Sequence, residues 1–144
     1  MAAESVRQFF TARSFAVAGA STDTAKYGNK VLKWYYDHDL SATGVNPNEP
    51  VVYAVKCSPS ITTLIESTHL DSISVSVVTS PRVSQLLLEE LNRLGPGVVK
   101  GVWFQPGSYD NATLAAASKD LNIIAGGRCI LLEGEQGLHA SEKL

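Results

Sequence analysis

No stretch of this sequence approaches the ~18 consecutive apolar residues that a membrane-crossing helix needs, so no membrane partner is expected. Glu4, Arg7 and Gln8 interrupt the segment from Met1 to Gln8, which offers no apolar signal core. A cytoplasmic location is the default, with a mitochondrial or nuclear one left open. Lysine and arginine are not clustered, and a formal net charge of −2 gives no electrostatic argument for nucleic acid. Cysteine is scarce: Cys57 and Cys129 stand too far apart for a metal or redox motif and read as buried thiols. His38, His69 and His139 share no ligand-like spacing with them or with each other, so no metal is expected.

Two phosphate motifs are also missing. After Gly19 the chain reads Ala20, Ser21, Thr22, Asp23, Thr24, which is not the G-x-G-x-x-G of dinucleotide sites. No Gly-Lys-Ser/Thr follows the turn, which excludes a Walker-type loop. What stands there is a hydrophobic strand, Ser14-Phe15-Ala16-Val17-Ala18, running into Gly19-Ala20-Ser21 and then through Lys26-Tyr27-Gly28 into a helix. A strand–turn–helix of this kind exposes backbone N–H groups at the positive end of a helix dipole, a setting suited to phosphate. Small residues let the ligand approach the backbone.

Strands and helices alternate along the 144 residues. Helices are expected near 3–11, 28–38, 60–66, from Pro81 to the Gly95-Pro96-Gly97 stop, and near 108–119. Strands are expected over 14–20, 42–46, 51–55, 73–79, 99–104 and 122–132. Short connections between alternating elements imply an α/β, doubly wound, mostly parallel sheet with helices on both faces, a Rossmann-like architecture. Residues 1–133 read as a single domain and the polar, glycine-containing 134–144 as a mobile tail.

In such sheets ligands bind beyond the carboxyl ends of the strands. Those ends carry Gly19-Ala20-Ser21, Val45-Asn46-Pro47, Thr79-Ser80-Pro81 and Trp103-Phe104-Gln105-Pro106-Gly107. Each has a structural explanation of its own: packing glycines, an Asn-Pro turn, a helix-opening proline, a core tryptophan. Their coincidence at one sheet edge favours a ligand. The second strand ends in Asn46 where NAD sites usually place an acid, so a nucleotide other than NAD or FAD is indicated.

These residues, with Asp71 before the fourth strand and Cys129, resemble the small single-domain CoA-binding proteins, which are similar to the N-terminal domain of the succinyl-CoA synthetase alpha subunit. The resemblance covers about residues 10–132. It implies that coenzyme A or an acyl-CoA lies across the strand ends. Gly19, Ala20, Ser21, Tyr27 and Gly28 would take the phosphates, with Lys26, and after it Arg82, as charge partners. Val45, Asn46, Pro47 and Asn48 would border the adenosine, and Thr79, Ser80 and Pro81 the pantetheine arm, with Trp103 and Gln105 nearby. Where the synthetase-type loop has glycine and lysine after its proline, this chain has Asn48 and Glu49. The second domain and histidine of the synthetases have no counterpart here.

A nucleophile needs a base within reach, and Ser21, Ser80 and Cys129 have no histidine or lysine close in sequence. Binding without catalysis is therefore the first reading. An NAD(P)-binding oxidoreductase and a non-catalytic subunit or interaction module are the alternatives. Leu86 to Leu88 carry more apolar surface than one helix face needs, which core burial explains first and a homodimer second.

Overall fold

The computed structural model describes residues 2–142. Helix α1 (Ala2–Phe9) leads into strand β1 (Ser14–Ala18), followed by α2 (Tyr27–Asp37) and β2 (Ala42–Val45). Next come β3 (Val51–Val52), β4 (Val55–Lys56), α3 (Ile61–Thr68), β5 (Ile73–Val77) and α4 (Pro81–Leu94). The last elements are β6 (Val99–Phe104), α5 (Asn111–Ala116), β7 (Ile123–Ile124) and α6 (Ile130–Glu142).

Five strands form one sheet in the order β2-β1-β5-β6-β7, and every neighbouring pair is parallel. This is the doubly wound α/β, Rossmann-like architecture that the alternation implies. From β1 the chain first moves outward to β2 and then crosses to β5 on the other side, so the order reverses between β1 and β5. A crevice at the carboxyl ends follows from that reversal.

Successive side chains of a strand point to opposite faces, and here both faces are buried. Phe15 and Val17 join a layer with α1, α2 and α6, while Ala16 and Ala18 join one with α3, α4 and α5. The first layer is aromatic: Phe9 meets Trp103 edge-on at 5.5 Å between centroids, and Phe15 stacks on Tyr35 at 5.1 Å. Such pairs add about 0.5–1.5 kcal/mol each beyond the area they bury.

Strand β5 alternates Ile73, Val75 and Val77 with Ser74 and Ser76, yet its serine face is dry. Ser74 Oγ donates to the Phe9 carbonyl at 2.6 Å, and Ser76 shares a 2.7 Å hydrogen bond with the Tyr35 hydroxyl. Burial drives the Tyr35 phenol far above its ordinary pKa, and the Ser76 bond offsets only part of that.

Three expectations change. The extended stretch at 51–55 is not a strand of the main sheet but a hairpin of β3 with β4. Its two central residues, Tyr53 and Ala54, both have positive φ (53° and 62°), as a two-residue hairpin turn requires. The strand expected over 122–132 shrinks to β7, and Ile130 already belongs to α6. Residues 134–144, expected as a mobile tail, continue that helix to Glu142, with 143 and 144 outside the described residues. Its glycines are close-packing positions. A Cβ on Gly134 would stand 2.5 Å from the Trp34 ring, and one on Gly137 would collide with Val6.

Candidate functional site

Gly19 ends β1 with φ +97°, and its amide donates to Val45 O across the β1–β2 pair at 2.9 Å. A Cβ there would approach Val78 Cγ2 to 2.8 Å and the Thr79 amide nitrogen to 3.3 Å. Both the backbone angle and the lack of space demand glycine. Gly28, in the first turn of α2, lies directly against the Gly19 carbonyl, which leaves no room for a side chain. The turn and the helix N-terminus are therefore one unit, and the first amides of α2 have no intrahelical acceptor.

Side chains stitch this unit shut. Asn46 Nδ2 donates to Ala20 O at 2.9 Å, and Asn29 Nδ2 donates to Ser21 O at 3.0 Å. The Tyr53 hydroxyl, from the hairpin, donates to Asn29 Oδ1. Ser21 Oγ accepts the Asp23 amide at 3.1 Å, and Asp23 Oδ1 accepts that of Ala25 at 2.9 Å. The Thr22 amide donates to Glu49 Oε2 at 3.0 Å, so a carboxylate from the loop after β2 occupies one N–H of the turn.

A cleft of about 500 Å³ opens on this edge. Ala18, Gly19, Thr79 and the Val45–Asn48 segment line its strand end, and Pro59 and Ser60 form one wall. The opposite wall is α4, through Val83, Leu86, Leu87, Glu90 and Arg93. Spaced i, i+3, i+4, i+7 and i+10, these make a single stripe, while Ser84, Leu88 and Leu91 face the core. The surplus apolar surface at Leu86 to Leu88 thus divides between core and cleft, with Leu86 61% exposed.

Glu90 is already engaged. Its carboxylate accepts the Ile61 and Thr62 amides at 3.3 and 3.2 Å and the Thr62 hydroxyl at 2.7 Å, capping α3. Arg93 is exposed, and its guanidinium has no hydrogen bond or ion pair among the described residues.

Among the residues singled out from the sequence, Gly19, Val45, Asn46, Pro47 and Thr79 line the cleft. Ala20, Ser21, Lys26, Tyr27 and Gly28 sit on the turn and helix start beside it, outside the lining. Ser80 and Pro81 open α4, with Ser80 as N-cap and Pro81 in the first turn, and neither lines the cleft. Trp103 is not brought there at all. It is fully buried among Phe9 and Phe10, with Nε1 donating to Arg128 O at 3.1 Å. Gln105 is also fully buried: its Oε1 accepts the Ile130 amide at 3.0 Å, capping α6, and its Nε2 has no partner among the described residues.

Pro59, Ser60 and the α4 stripe went unrecognised in the sequence. The stripe's spacing is the signal that could have found it.

Cys129 is buried at the start of α6 against Tyr27, whose phenol the thiol pushes up in pKa. Burial first, and the Glu49 charge second, push the Cys57 thiol up as well, which suits an inert side chain. Among the described residues no group of three or more His, Cys, Asp or Glu side chains is placed to hold a metal ion. No helix among them is long and apolar enough to cross a membrane.

The family model for a CoA binding domain matches residues 13–135. Among solved structures, a conserved hypothetical protein from Pyrococcus furiosus is 31% identical with a TM-score of 0.71, over 84% of this chain and 98% of that one. A hypothetical protein from Pyrococcus horikoshii OT3 is 28% identical with a TM-score of 0.79, over 96% and 93%. A protein from Thermus thermophilus shares the fold, with a TM-score of 0.77 at 22% identity, over 95% and 99%.

Proposed function

From the premise that this chain belongs to the CoA-binding domain family, we propose that it holds coenzyme A or an acyl-CoA across its strand ends without catalysing a reaction of its own. The observation that carries this reading is the cleft that opens directly on the Gly19 turn, at the edge where the strand order reverses. The pyrophosphate would lie against the turn and the first amides of α2, where backbone donors and the helix dipole favour negative charge. The adenosine would enter between the Val45–Asn48 loop and α4, whose Val83, Leu86 and Leu87 offer the apolar surface that a base needs. The pantetheine arm would run past Thr79 toward the ends of β5 and β6.

Binding without chemistry is supported by how the hydroxyl and thiol groups are used. Ser21 Oγ accepts a backbone amide, and Cys129 lies against a phenol rather than a base. Native mass spectrometry of the purified protein, followed by calorimetric titration, tests the reading. A co-purified CoA or acyl-CoA, or micromolar binding of added CoA with none of NADH, supports it. No CoA binding at high micromolar concentration, or recovery of bound NAD(P), overturns it.

A further inference from the structure

We infer that Arg93 recognises an anionic group on the sugar of the bound nucleotide, a task that the loop after β2 does not perform in this chain. The inference rests on the proposed CoA-type ligand and concerns how its ribose phosphate is selected. The α4 stripe is apolar at Val83, Leu86 and Leu87 and charged at Glu90 and Arg93. From Val83 to Arg93 it rises ten helical steps, about 15 Å. Helical side chains lean toward the N-terminus, which directs a long arginine back along the cleft toward the strand edge.

The charges along this stripe are not paired with each other. Glu89 and Glu90 stand four and three residues before Arg93, spacings that commonly give ion pairs, yet neither forms one with it. Glu90 is committed to the amides of α3. Arg93 therefore lines the cleft with its guanidinium donors unpaired among the described residues, and its fork matches a phosphate.

The loop after β2, which borders the strand end of the cleft, is unsuited to a second phosphate. Glu49 brings a carboxylate onto the Thr22 amide, and no lysine or arginine occurs from Val45 to Glu49. A ligand with a pyrophosphate and a separate sugar phosphate thus meets backbone donors at one end of the cleft and a cation at the other.

Calorimetric titrations of CoA and dephospho-CoA, which differ by the ribose phosphate alone, test this on the full chain at low salt. Wild type is expected to prefer CoA by about tenfold, the equivalent of one charge-assisted contact. Arg93→Gln should remove that preference while leaving dephospho-CoA binding unchanged, and Arg93→Lys should keep part of it. A preference that survives in R93Q, or an equal loss for both ligands, overturns the inference. Equal wild-type affinity for the two ligands overturns it too but leaves the proposed function standing. Binding of neither ligand removes both.

Discussion

Replacing Gly19 by alanine puts one methyl group at the place where the turn, β5 and the cleft meet. Two effects oppose it. At φ +97° an L-residue is strained, by about 1–2 kcal/mol on the scale of the left-handed penalty. The methyl also reaches 2.8 Å from Val78 Cγ2 and 3.3 Å from the Thr79 amide nitrogen. A side-chain carbon can yield, but the amide nitrogen belongs to the backbone, and overpacking of this kind costs about 1–3 kcal/mol. Loss of unfolded-chain entropy returns about 0.4–1 kcal/mol. The sum is a destabilisation of roughly 1–4.5 kcal/mol, a sizeable part of a typical domain's stability of about 5–15 kcal/mol.

Urea unfolding should show that loss at an unchanged m-value, and the folded fraction should bind CoA at least about tenfold more weakly. Gly97→Ala is the control, since its Cβ meets nothing within 4 Å and its φ is not positive. It should stay within about 0.5 kcal/mol of wild type. A G19A protein as stable as G97A would refute the reasoning, because neither strain nor crowding would then be present.

Glu49→Ala should tighten CoA binding about three- to tenfold by removing the carboxylate that competes for the Thr22 amide; unchanged or weaker binding by calorimetry contradicts that competition. Gly137→Ala should destabilise the fold by about 1–3 kcal/mol despite the ~1 kcal/mol helix preference of alanine, because the methyl collides with Val6. A gain in melting temperature would mean that α6 does not pack on α1 this closely. The Thr113 amide first, and its hydroxyl second, hold the Asp110 carboxyl below its ordinary pKa. The unfolded chain therefore takes up that proton first as pH falls. The contribution is complete above the unfolded-state pKa and is lost as pH drops through the lowered folded-state value, so Asp110→Asn should flatten thermal stability between about pH 5 and pH 3. An unaltered acid profile in D110N would count against the capping box.

The architecture and the strand–turn–helix at Gly19 were legible because they rest on local signals. Apolar runs alternate with helical patterns, and small residues sit where a strand meets a helix. Partner-dependent features were not legible. Gly134 and Gly137 suit a loop as well as a helix until Trp34 and Val6 are placed against them. Trp103 and Gln105 lie at the end of a strand that reaches the same sheet edge as the cleft, but only tertiary packing shows that one fills the aromatic layer and the other caps α6. Likewise, α4 presents leucines on two sides. Spacing alone does not say which of them are covered, because that depends on where the neighbouring elements pack. Ser74 and Ser76 illustrate the same limit, since alternation alone does not reveal that a serine face is covered by Phe9 and Tyr35.

The stitching of the Gly19 turn by Asn46, Asn29 and Tyr53 has a kinetic consequence. A loop tied down before the ligand arrives has little ordering entropy left to lose when it binds. Apart from the displacement of Glu49, the encounter should need no slow rearrangement of the turn. Association rates should then be similar for all ligands that share the pyrophosphate. Differences in affinity among them will be carried by residence time.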